Sequence, residues 1–416
     1  MSCTSTIEPE TAAPSGLASL LRLAVPLIIS NAFFTLQVFI DRLMLSRYDS
    51  ATPGPALAAA MVFYAPFVLL GSTAGFTATF VAQYVGARQR DQIRPLVGQA
   101  LWFSLASGIA FLGLFPAAEL IFQLAGHTAT TAQLEAIYFQ CLCFCGLPMI
   151  VNSALSGVFA GLNRPGLVIA VNALGCAVTA GLGYLLIFGA GPIPPYGIAG
   201  AGWATVVGSY AAMALAWLLW RRLIPQERLA APVGPIVDWP RLGRFLAFAV
   251  PNGLQAGCDI IAWAMFTLLV GRLGDAALAA TTIVLNINML FYVPMLGLAQ
   301  AVCVQVGQHL GGDRPDRAAR SAWLGFGLAG SLMTVAGLAA AFLPGVILSL
   351  FHSDDPGELW EQTAEIVPGL LWFVAVYSFF DSMNLVFALA LRGAGDTRFV
   401  SIVTFACGIV LLIVPC

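Results

Sequence analysis

The stretch Phe245-Leu-Ala-Phe-Ala-Val-Pro-Asn-Gly-Leu-Gln-Ala-Gly-Cys-Asp259-Ile-Ile-Ala-Trp263-Ala-Met-Phe-Thr-Leu-Leu-Val-Gly271 holds a single charge. As a helix it crosses the roughly 30 Å hydrocarbon core of a bilayer. A carboxylate near its centre costs roughly 2.5–3.5 kcal/mol on insertion scales. The stretch Ile366–Leu391 repeats the pattern, with Asp381 as its single charge. A third carboxylate, Asp41, lies toward the end of an apolar run over 20–44. Charges this expensive face a wet cavity, where they handle an ion or a cationic ligand. Two of them in one chain point to a transporter.

Composition agrees. Of 416 residues, 59% are hydrophobic and 9% charged, which no soluble domain sustains. Continuous apolar runs predict an all-α polytopic membrane protein and exclude a barrel, whose strands alternate. A net charge of −2 gives no basis for nucleic-acid binding. Cys141, Cys143 and Cys145 form a C-x-C-x-C inside an apolar helix; they read as small packing residues rather than metal ligands. No phosphate-binding loop is present, and no cofactor is expected beyond Na⁺ or H⁺ as coupling ion.

Eleven spans are expected: 20–44, 56–84, 96–116, 134–160, 167–189, 198–220, 245–271, 276–306, 321–343, 366–391 and 399–416. All 18 basic residues are arginine. With the N-terminus inside, fifteen fall in cytoplasmic segments and three (Arg42, Arg47, Arg272) at or near the other side. That asymmetry predicts a multi-pass inner-membrane protein with a cytoplasmic N-terminus. Residues 1–19 read as a polar tail rather than a signal peptide. His127, His309 and His352 are placed in loops.

The chain repeats itself. Ala56-Leu-Ala-Ala59 recurs as Ala277-Leu-Ala-Ala280, and Val85-Gly86 as Val306-Gly307, each 221 residues later. Pro26 and Pro251 lie 225 apart, which places a four-residue insertion near Ser50–Pro53. The expected organisation is a first six-helix bundle over 20–220, a cytoplasmic linker over 221–244, and a second bundle over 245–416. An even-numbered repeat gives both bundles the same orientation, related by an axis along the membrane normal. The second bundle is then one helix short, through truncation or departure from the repeat.

These residues resemble the multidrug and toxic compound extrusion (MATE) family of secondary transporters. The resemblance is carried by Asp259, Leu268-Leu-Val-Gly-Arg-Leu-Gly274, Ala277–Ala280, Val293-Pro-Met295 and Val306-Gly307. Tyr377-x-x-x-Asp381, Leu391-Arg-Gly393 and Asp396 extend it, as do Pro26, Asp41 and Gly197-Ile-Ala-Gly-Ala-Gly-Trp-Ala-Thr205. The resemblance implies two six-helix lobes around a cavity and export of organic cations or amphipathic compounds in exchange for Na⁺ or H⁺. It implies a second-lobe cation site at Asp259, Asp381 and Tyr377, and a first-lobe site at Asp41. Here the sequence departs from the pattern: the fifth-helix acid that partners the first-lobe Asp corresponds to Gly183. Asn172, on the same helix, is then a candidate polar partner.

Tyr377 and Asp381 are four apart and share a helix face, with Asn384 and Ser378 close by. Asp259 and Trp263 are likewise four apart. If the faces converge, oxygen ligands suit Na⁺, and two mutually repelling carboxylates can also carry a proton. Trp263, Asn384 and Asn172 are the candidate substrate contacts, the indole through cation–π attraction. The bland alternative is that each Asp only bonds locally between helices, and for Asp41 an ion pair with Arg42 would suffice. Two other functions are weighed. A lipid-linked saccharide flippase of the same architecture would want basic residues in its cavity, and no span centre carries an arginine. An intramembrane enzyme could use paired aspartates as acid and base, but the repeat suits a carrier. The expected partners are small amphipathic or cationic substrates and the lipid bilayer, with the protein a monomer.

Overall fold

Proline opens and a left-handed residue closes many of the helices. The computed structural model describes residues 16–49, 52–125, 127–189, 194–227, 229, 237–351 and 358–408. The first half holds α1 (Leu17–Tyr48), α2 (Pro53–Gly75), α3 (Thr77–Gly86), α4 (Ile93–Gly113), α5 (Ala118–Leu124), α6 (Ala129–Gly161), α7 (Pro165–Phe188) and α8 (Gly197–Gln226). The second half holds α9 (Trp239–Gly271), α10 (Asp275–Gly311), α11 (Pro315–Phe342), α12 (Pro344–Phe351), α13 (Glu358–Ala394) and α14 (Thr397–Gly408). Pro53, Pro165 and Pro315 each sit in a first turn, where the missing N–H costs no helical bond.

Ten spans of membrane-crossing length and apolarity are found among the described residues, so the protein is a multi-pass membrane protein. The eleventh expected span falls on α14 and on 409–416, the latter outside the described residues, as are His352 and most of the 1–19 tail. Several boundaries differ from expectation. Span two breaks at Phe76 into α2 and α3, and span three turns at Pro116 into the short α5. The linker is shorter than 221–244: Arg221 and Arg222 belong to α8, and Arg241 and Arg244 to α9. Both of its ends are tied to the first half. Glu227 accepts from Arg90 (2.8 Å) and Arg164 (3.0 Å), and the Asp238 N–H donates to Gln99 Oε1 (3.1 Å). His309 is not in a loop: it lies in the last turn of α10, where the helix continues to Gly311, and is buried.

The two halves repeat in their backbone. Arg88, Asn163, Asp313 and Gly395 all take positive φ at helix ends, and each is followed by an N–H that reaches back five residues to a carbonyl. This is the Schellman closure of a helix C-terminus. Asp313 lies 225 residues after Arg88, the spacing of Pro26 and Pro251. The 221-residue match of Val85-Gly86 with Val306-Gly307 is therefore not the structural one; Gly86 corresponds to Gly311. The reason is that α10 runs unbroken for 37 residues where α2 and α3 are interrupted.

The halves interlock through crossed pairs: α1 packs on α10, α2 on α9, and α3 on α10. The pairing obeys the same two-fold relation. A side chain at Gly86 would overlap the Gln308 carbonyl, and one at Gly311 the Gln83 carbonyl. Gln83 Nε2 donates to Gly393 O and Gln308 Nε2 to Gly161 O, both at 3.0 Å. Asn163 adds a bond to Gln308 Oε1 at 3.2 Å. Small residues let the backbones approach this closely, as membrane helix packing requires. Gly157 and Gly161 make close contacts of the same sort within the first half, against the α2–α3 junction and α3.

These seals lie at the end that carries the arginine-rich loops. Toward the other end the crossed helices separate. On α1, Leu20, Leu23, Ala24 and Leu27 are buried, whereas Phe34, Leu36 and Phe39 are exposed. On α9 Asn252, Gly253, Gln255 and Gly257 are buried, whereas Asp259, Ile261 and Trp263 are exposed. On α10 Met295, Leu298 and Ala299 are buried, and Met289 and Leu290 are exposed. The contacts that join the halves thus gather toward the arginine-bearing end.

Candidate functional site

The acidic residues of the second half sit on α9 and α13. Asp381 sits on α13, and Tyr377, one turn earlier, lies within electrostatic reach of its carboxylate. Asp259 sits on α9, just past the last residue packed on α2, and remains exposed. Tyr292 of α10 lies within electrostatic reach of both carboxylates, so the two faces converge around it. No sequence signal marked Tyr292; only the crossing of α10 with α9 and α13 brings it there. Asn384 is exposed on the Asp381 helix, one turn further. Trp263 is exposed, its ring edge-on to Phe266 at 5.8 Å. Ser378, three residues before Asp381, is buried and donates to Asn288 at 3.5 Å.

A basic residue belongs to this cluster. Arg392, expected in a cytoplasmic loop, lies within α13, which continues to Ala394. It interacts electrostatically with Asp259 and Tyr292. It stands in the last turn of α13 rather than at a span centre, and helical side chains lean toward the N-terminus, here back along α13.

In the first half, Asp41 is partly buried and accepts from the Tyr138 hydroxyl of α6 at 2.8 Å. Asn172 is not its partner. Asn172 Nδ2 donates to Ser30 Oγ (2.7 Å) and Ser30 O (3.3 Å), and its Oδ1 accepts from Asn152 (3.4 Å). Ser30 lies three turns before Asp41 on α1, which puts Asn172 too deep to reach it. Gly183 does face α1 beside Asp41: a side chain there would touch Met44. One turn earlier, Gln37 donates to Thr179 at 3.3 Å. The first-half cluster therefore holds one carboxylate and a phenol. Elsewhere, the half-exposed His127 pairs with buried Glu135 at 2.8 Å. No group of three or more His, Cys, Asp or Glu residues arranged to hold a metal occurs among the described residues, and Cys141, Cys143 and Cys145 are buried.

The MatE family model matches residues 26–185 and 259–416, most of the chain. The chain belongs to the MATE family of transporters. It is 28% identical over 391 residues to the "Probable multidrug resistance protein NorM" of Deinococcus radiodurans, covering 94% of this chain and 85% of that one. A protein of the same name from Xanthomonas campestris is 28% identical over 382 residues, with 90% and 81% covered. Among solved structures, a eukaryotic MATE transporter superposes with a TM-score of 0.82 at 17% identity, over 93% of this chain and 85% of that chain. An outward-facing MATE transporter of the MOP superfamily gives 0.81 at 19%, over 92% and 84%. MATE proteins are transporters, not enzymes, which removes the intramembrane-enzyme alternative.

Proposed function

We propose that this MATE protein is a cation-coupled antiporter that exports organic cations or amphipathic compounds in exchange for Na⁺ or H⁺. The observation that carries this reading is the convergence of Asp381, Tyr377 and Asp259 around Tyr292. Carboxylate and phenol oxygens suit a hard monovalent ion, and a carboxylate can instead carry a proton. Exposed Trp263 and Asn384 supply an aromatic face and an amide for the organic part of a cargo. An ion and a cationic cargo compete for the same negative charge, so binding of one favours release of the other. Exchange follows if the halves rock and expose the site alternately.

The arginine-bearing end is assigned to the cytoplasm of an inner membrane by the positive-inside rule. The halves are then joined at the cytoplasmic end, and we read this as the state that releases cargo to the outside. Competitive binding tests the reading. The purified protein should bind tetraphenylphosphonium, Na⁺ or falling pH should displace it, and Asp259→Asn or Asp381→Asn should remove the binding. Unaltered binding in both variants refutes the assignment of the site.

A further inference from the structure

Asn252 and Gln255 of α9 are buried, 6% and 5% exposed, yet Asn252 Oδ1 and Gln255 Oε1 have no hydrogen-bond partner among the described residues. The other atom of each amide is engaged. The break between α2 and α3 turns the Phe76 N–H to Thr73 O, which leaves Ser72 O without its helical donor. Asn252 Nδ2 supplies that donor at 2.9 Å. A carbonyl only accepts, so the Asn252 oxygen is the atom left over. Gln255 Nε2 donates to Thr404 Oγ1 of α14 at 3.0 Å. A third such oxygen, the buried Thr397 Oγ1, stands at the start of α14. Ser401, one turn on, ties that part of α14 to α9 through Pro251 O at 2.9 Å.

These oxygens line up with the cation site. Asn252, Gln255 and Asp259 are spaced three and four apart, so they share one face of α9, with Asp259 one turn beyond Gln255. From Asp259 the row runs toward the end that carries Arg241, Arg244 and Arg398. Buried acceptors are stable when water or a cation meets them, and polar side chains inside membrane spans mark ion pathways. We propose that Asn252 and Gln255 form a hydrated way-station through which the coupling ion passes between Asp259 and the arginine-bearing end. Its ligand is a monovalent cation, either Na⁺ or a proton carried by water. Uncharged amide oxygens replace part of an ion's hydration shell but hold it less firmly than a carboxylate, so the ion rests at Asp259 and passes here. This rests on Asp259 being a cation-binding carboxylate.

The full-length protein, purified and in liposomes, tests the route with tetraphenylphosphonium as cargo. Gln255→Met keeps the side-chain length and removes the oxygen. It should leave tetraphenylphosphonium binding within about twofold of wild type and slow ion-driven transport about tenfold or more, the loss of one contact to a charge. Thr404→Val loses the same hydrogen bond but spares the oxygen, so it should slow transport by less than about threefold. Gln255→Cys, made where the native cysteines are replaced, reads hydration independently and covers the case in which Gln255→Met does not fold. A methanethiosulfonate ethylammonium reagent should modify its thiol in the folded protein. Wild-type transport by Gln255→Met, equal slowing by Thr404→Val, or an inert thiol in Gln255→Cys overturns the proposal. So does a loss of cargo binding in Gln255→Met that matches its loss of transport, which would place Gln255 in the cargo site. If Asp259→Asn leaves tetraphenylphosphonium binding intact, the failure lies in the underlying site assignment and not in the route.

Discussion

Gln308 offers a direct probe of the closed end. It is 7% exposed, donates to Gly161 O at 3.0 Å and accepts from Asn163 at 3.2 Å. The Gly161 and Asn163 bonds both join one half to the other. Net hydrogen bonds of this kind are worth about 0.5–1.5 kcal/mol each, so Gln308→Ala should weaken the closed state by about 2 kcal/mol. At tenfold per 1.4 kcal/mol, the population open at the arginine-bearing end rises roughly thirtyfold. Cys303 is the natural reporter. It lies between the halves, its thiol 3.6 Å from Thr79. In a variant where Cys303 is the sole cysteine, labelling by an impermeant maleimide from the arginine-bearing side tracks the open population when opening is fast. Gln308→Ala should accelerate it roughly thirtyfold, and Gln83→Ala, which loses one bond, about five- to tenfold. An unchanged labelling rate in both variants, with the fold intact, refutes the assignment of these glutamines as the seal.

Three further outcomes follow from the same geometry. Gly311→Ala places a methyl against the Gln83 carbonyl, so closure should fail, with Cys303 labelled rapidly and transport lost. Asp41→Ala and Tyr138→Phe remove the same hydrogen bond, so their effects on thermal stability should be strongly non-additive in a double-mutant cycle; simple addition would show that the bond carries no energy. Glu227→Gln loosens both Arg90 and Arg164 where the linker leaves α8. It should lower the melting temperature at low ionic strength, and the difference should shrink in about 1 M salt, since both arginines are largely exposed.

The transmembrane architecture was readable because each span is apolar over a length that only a membrane demands, and the arginines alternate with them. Asp259 and Asp381 stood out for the same reason, since a lone charge in such a stretch is conspicuous, and Tyr377 through the resemblance and its place one turn before Asp381. Tyr138 and Tyr292 gave no such signal. A tyrosine in an apolar helix is ordinary, and each gains its meaning from a carboxylate on a distant helix. Arg392 was misplaced because a basic residue flanking a span usually marks the membrane edge. The helix in fact continues past it, and the side chain points back inside. Asn172 was assigned by helix alone, and depth along the helix decided against it. The repeat was visible in short words, but its register needed the backbone: only matching Schellman closures and reciprocal Gly–Gln contacts separate 225 from 221.

The central claim is that cation flow through the Asp259–Asp381 site drives cargo the other way. Reconstituted in liposomes, the protein should accumulate a fluorescent organic cation against its gradient when a Na⁺ or a proton gradient is imposed separately, and one of the two should suffice. Asp381→Asn should abolish that movement while leaving the protein folded. Full gradient-driven transport by Asp381→Asn, or wild-type transport indifferent to both gradients, would contradict the account.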